Sequence, residues 1–127
     1  MPLSKVMPLI VLSGIGVHFG PAMQAKLLAF FNGEKAVICR YNMQIIYKAA
    51  LYESLSGDKP DLSDFPAFIR RNIRTTKKGY DTSLDPWGTQ YTYQINGKTL
   101  KIISAGPDEQ AGTKDDIEIE GELEQLI

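Results

Sequence analysis

The sequence predicts an α+β fold, a helix packed on a small antiparallel sheet. Three observations predict it. Ile38, Tyr41, Ile45, Ala49 and Tyr52 recur at spacings of three and four, the period of a helix with one apolar face. TQYTYQI and KTLKIIS alternate with period two on either side of Asn96-Gly97. IEIE at 117–120 alternates again and adds a third strand. Helical period followed by strand period is the order of an α+β layer. A chain of 127 residues is enough for one domain with a modest core.

In chain order, residues 6–25 hold no Asp, Glu, Lys or Arg, and Lys5 stands just before them. About twenty apolar residues span a bilayer. The run therefore reads as a membrane anchor, with a cleaved signal peptide as the competing reading. Gly14, Gly16, Gly20, Pro8 and Pro21 are tolerated in such a segment. A nucleotide-binding βαβ start is a third reading, but the spacing here is GxGxxxG and no acid ends the second strand. The chain divides into an apolar segment, 1–33, and a globular domain, 34–127. Asn32-Gly33 marks a break or bend between them.

Residues 34–56 form the predicted helix, with the Ile and Tyr stripe as its core face and Gly57 closing it. A short helix follows. Asp61 is its expected N-cap, Phe65, Phe68, Ile69 and Ile73 its buried side, and Arg70, Arg71 and Arg74 its solvent side. Asp85-Pro86-Trp87-Gly88 has turn chemistry, with Asp first, Pro second and Gly fourth. Trp87, the only tryptophan, is expected to pack over the core beside this turn.

Net charge is −1, so no global field calls for nucleic acid. The charge is unevenly placed. Arg70, Arg71, Arg74, Lys77 and Lys78 are basic without an intervening acid, whereas Asp108, Glu109, Asp115, Asp116, Glu118 and Glu120 are opposed only by Lys114. One Cys and one His exclude an internal disulfide, a soft-ligand zinc site and a nucleophile–histidine pair, and no catalytic residue is expected. The loop at 105–116 reads in two ways. It is a solvated acidic loop, or it wraps a hard cation, with Ser104, Asp108, Asp115 and Asp116 as oxygen donors and Gly106, Pro107 and Gly112 letting the backbone curl. Its spacing is not that of an EF-hand.

The stretch DPWGTQYTYQINGKTLKIISAGPDEQAGTKDDIEI resembles the C-terminal region of the type II secretion major pseudopilins and their type IV pilin-like relatives. That family carries D-P-W-G-x-x-Y, a hairpin, an S-x-G-x-D loop and then G-x-x-D-D-I. The resemblance implies a pilin-like fold, a long N-terminal helix on a small antiparallel sheet, with a C-terminal loop that binds one calcium ion. It implies calcium ligands at Ser104, Asp108, Asp115 and Asp116 with the backbone carbonyl of Ile103. Asp85, Pro86, Trp87 and Gly88 would be structural.

The function implied is that of a structural subunit in a pseudopilus or pilus-like filament. Its partners would be like or related pilin subunits and the inner membrane, with no nucleic acid and no small-molecule substrate. The protein would lie at the bacterial inner membrane with an extracytoplasmic domain, or in an extracellular filament. The glycine and Phe-Thr-Leu-x-Glu segment at which pilin-like precursors are processed have no counterpart here. A second reading keeps the fold and makes the protein a membrane-anchored extracytoplasmic binding module, with the basic stretch 70–78 as its docking surface.

Overall fold

The computed structural model describes residues 20–123. Most of the apolar run 6–25 lies outside the described residues. Helix α1 spans Pro21–Leu55 and α2 spans Phe65–Asn72. Strands β1 (Thr92–Asn96), β2 (Thr99–Ser104) and β3 (Ile117–Glu122) form one antiparallel sheet in the order β1-β2-β3. Among the described residues, no helix is long and apolar enough to cross a membrane.

The first helix runs unbroken through Asn32-Gly33, where the sequence suggests a break. One glycine inside 35 helical residues costs about 1 kcal/mol relative to alanine, which the flanking turns absorb. Its N-terminus suits Pro21, which has no N–H to leave unpaired. Its C-terminus is a Schellman motif. Gly57 N donates to the Ser54 carbonyl and Asp58 N to that of Glu53, each at 3.2 Å, with Gly57 at φ 90°.

The core face of α1 corrects the expected stripe. The residues sealed against the sheet are Cys39, Met43, Ile46 and Ala50, whereas Ile38, Tyr41 and Tyr52 are 52%, 65% and 73% exposed. Both sets repeat at spacings of three and four. Apolar residues occur on several sides of this helix, so periodicity alone does not choose between adjacent faces. Tyr47 reaches the sheet at its third strand. Its hydroxyl donates to the Glu122 carbonyl at 2.7 Å, and its ring lies over Gly121, where a Cβ would be 2.4 Å from Cζ.

Asp64, not Asp61, caps α2: Ala67 N donates to Asp64 Oδ1 at 3.1 Å. Asp61 instead accepts from the N–H and hydroxyl of Ser63, forming the turn before the cap. Phe65, Phe68 and Ile69 enter the core, Phe65 against Tyr93 with ring centroids 4.8 Å apart, and the arginines face outward.

The hairpin forms with its turn one residue beyond the expected pair. Asn96 pairs with Thr99, so Gly97-Lys98 are the turn residues, with Gly97 at φ 63°. Glycine at the first central position is the II′ arrangement, which matches strand twist as well as Asn-Gly in I′ does. Leu100, Ile102, Ser104, Ile117 and Ile119 share the face toward α1. Thr99, Lys101, Glu118, Glu120 and Glu122 share the other.

Candidate functional site

The site has two parts, the 85–88 turn and the 104–116 loop. Asp85-Pro86-Trp87-Gly88 closes as a turn, with Gly88 N donating to the Asp85 carbonyl at 2.9 Å and Gly88 at φ 90°. Asp85 is 4% exposed, and three donors hold its side chain. Oδ1 accepts from Trp87 N at 3.0 Å and Thr89 N at 2.9 Å, and Oδ2 accepts from Ser104 Oγ at 2.6 Å. A carboxylate this buried is tolerable because its lone pairs are filled. Trp87 is also buried, and its indole N–H donates to Asn32 Oδ1 at 3.0 Å. The turn is thereby fastened to α1 on one side and to the end of β2 on the other.

Ser104 is the hinge between the two parts. It is sealed from solvent, donates to Asp85, and accepts from Gly106 N at 3.2 Å. Gly106 has φ 76°, and the Asp115 carbonyl sits 2.0 Å from where a Cβ would be, so only glycine fits. Asp108 accepts from Gln110 N at 3.0 Å and from the Thr113 hydroxyl. Asp116 accepts from Gly112 N at 2.8 Å and Thr113 N at 3.4 Å. Asp115 is exposed, and Ile103 is buried beside Ser104 in β2.

The Asp108 and Asp116 carboxylates are thus engaged by the loop's own N–H and O–H groups. Among the described residues, no three Asp, Glu, Cys or His side chains converge as a ready-made metal shell. The donor chemistry nevertheless fits a hard cation, since every side-chain donor in question is an oxygen. Glu109 Oε2 is buried without a hydrogen-bond partner, on a residue held at φ 58°. The sequence alone gives Glu109 no role beyond its charge, Asn32 none beyond a bend, and Thr113 none at all. The Gly-Thr pair at 112–113 was the available sign of Thr113, because a hydroxyl after a glycine turn can bond back to a preceding Asp.

Beneath the turn, Cys39 packs with Sγ 3.6 Å from Met43 Sδ, and burial pushes its thiol up, away from reactivity. Burial likewise raises the Tyr91 phenol, beside Cys39 and Asp85. At the surface, the Ser83 hydroxyl and then the Arg70 guanidinium hold the Asp81 carboxyl at about 2, below its usual 3.8.

No curated protein and no solved structure gives a match to this chain. The family model described as type II secretion system (T2SS), protein G, matches residues 58–121, half of the chain and both parts of the site. With the long helix on a three-stranded antiparallel sheet, this match places the chain in the type II secretion protein G family, the major pseudopilins.

Proposed function

We propose that the protein is a structural subunit of a type II secretion pseudopilus, held in the inner membrane through residues 6–25, with calcium closing the 104–116 loop. The observation that carries this reading is the family match over the residues that build the Asp85–Ser104 junction and the loop. The family is a structural one, and no residue is assigned a catalytic role.

In this reading, Ser104, Asp108, Asp115, Asp116 and the Ile103 carbonyl hold the ion. The Ser104 proton is committed to Asp85, so toward the loop its oxygen offers lone pairs only. The ion would supply positive charge among carboxylates that otherwise repel. Asp85 would fix Ser104 in position, and Gly106 and Gly112, both at positive φ, would turn the backbone around it.

Thermal unfolding of the purified chain with calcium, with magnesium and with chelator tests the ion. A ligand that binds only the folded state adds about 2.7 kcal/mol at a hundredfold excess over its Kd. The expected result is a calcium-specific rise in Tm that Asp116→Ala abolishes. An unchanged Tm in calcium removes the ion from the reading. Electron microscopy of the assembled protein tests the subunit role, with filaments expected and dispersed particles counting against it.

A further inference from the structure

Two oppositely charged surfaces of this chain do not meet within one molecule. The first borders a recess of about 530 Å³ lined by Arg70, Ile73, Arg74, Tyr80 and Asp81, which continues toward Ile45 and Ile46 of α1. Arg70 is occupied by Asp81 at 3.1 Å, and Lys77 lies over the Tyr80 ring. Arg74 and Lys78 are exposed and have no ion pair among the described residues.

The second surface is the outward face of β3, where Glu118, Glu120 and Glu122 recur every second residue and are all exposed. Lys101 stands directly across from Glu120 in the register and reaches Glu118 at 3.9 Å, while Glu120 and Glu122 make no ion pair among the described residues. Lys101, Glu118 and Glu120 also line a second recess of about 200 Å³, room for the end of one long cationic side chain. Like charges two residues apart on one strand lie roughly 6.6 Å from each other and repel, a cost that a facing row of cations relieves.

We propose that the basic rim at Arg74 and Lys78 docks on the outer face of β3 of a second copy of this chain, with Arg74 entering the recess beside Glu120. The inference rests on the subunit reading above and names one of its contacts. Because the two surfaces differ, the contact is head-to-tail. Such a contact propagates into an open array unless its rotation closes a ring. Exposed opposite charges at this spacing are screened within about 10 Å at 0.1 M salt, so the contact is salt-sensitive.

The test uses the full chain in two tagged forms, Arg74→Cys and Glu120→Cys, co-expressed and mildly oxidised. The native Cys39 is buried and does not compete. The expected result is a mixed disulfide at least fivefold more abundant than the disulfide of either form with itself, and its loss when 0.5 M salt is present before oxidation. In parallel, Arg74→Glu lowers self-association at least fivefold, and adding Glu120→Arg restores it. Both sites are exposed, and Tm reports whether each variant folds.

A mixed disulfide no more abundant than the self-pairs overturns the contact, as does a charge swap that fails to restore association. A cross-link from Arg74→Cys to a different polypeptide, with none to Glu120→Cys, overturns the second copy as occupant. Filaments without the mixed disulfide overturn this contact and leave the subunit reading standing. The mixed disulfide without filaments does the reverse.

Discussion

Ser104 Oγ donates to Asp85 Oδ2 at 2.6 Å across nineteen residues of sequence, and both groups are buried. This bond joins the tight turn to the acidic loop, and it ranks the effects of substitution on either side. Asp85→Ala strands three donors in the interior and is expected to cost about 3 kcal/mol or more. Ser104→Ala removes one hydrogen bond and one acceptor, for about 1–2 kcal/mol. Urea unfolding of both variants checks the order, and a larger loss for Ser104→Ala would contradict it.

The contact of Tyr47 with Gly121 predicts a non-additive pair. In Gly121→Ala the new methyl meets the Tyr47 ring, and moving that ring breaks its hydrogen bond to the Glu122 carbonyl. The expected loss is about 1–3 kcal/mol. In a Tyr47→Leu background the same substitution costs much less, because the obstruction is gone. A double-mutant cycle by denaturant unfolding measures the coupling.

Glu109 occupies left-handed backbone, φ 58°, which costs a side-chain-bearing residue about 1–2 kcal/mol. Glu109→Gly removes that cost and also the unpartnered carboxylate oxygen. A gain of about 0.5–1 kcal/mol is expected without calcium. Gly106→Ala gives the opposite result, because the Asp115 carbonyl fills the space. Thermal unfolding in chelator reads both.

The Asp81 carboxyl, held at about 2, makes stability depend on pH at the acid end. A carboxyl depressed in the folded state contributes stability above its unfolded value, 3.8, and loses that contribution as pH falls toward 2. Carbon NMR of the side chain is expected to show this titration. Ser83→Ala should raise it more than Arg70→Gln, since the serine contributes more than the arginine.

The parts of the fold legible in the sequence are those whose cause is local. Asp-Pro-Trp-Gly fixes its turn by Asp at the first position, Pro at the second and Gly at the fourth, and Gly57 ends its helix by adopting φ 90°. Cases with two near-equal local solutions were not legible. Asp61 and Asp64 both suit an N-cap, and packing of Phe65 and Phe68 selects the later one. Ile38-Tyr41-Tyr52 and Cys39-Met43-Ile46 are both helical stripes, and the position of the sheet selects the second. In the loop, the acids were legible but not their engagement. Thr113 and the backbone N–H groups that hold Asp108 and Asp116 come together only once Gly106 and Gly112 have turned the chain.

The indole–amide bond between Trp87 and Asn32 has a mechanical consequence. From Pro21 to Asn32 the helix advances about 16 Å at 1.5 Å per residue, and no residue of that stretch is fully buried. Tension applied to this arm enters the domain at Asn32 before it reaches the sealed contacts that begin at Cys39. From Asn32 the load passes to Trp87, then through the Trp87 N–H to Asp85, and through Ser104 to the base of the acidic loop. A series of four hydrogen bonds therefore links the arm to the base of the acidic loop, beside the covalent path through α1 itself.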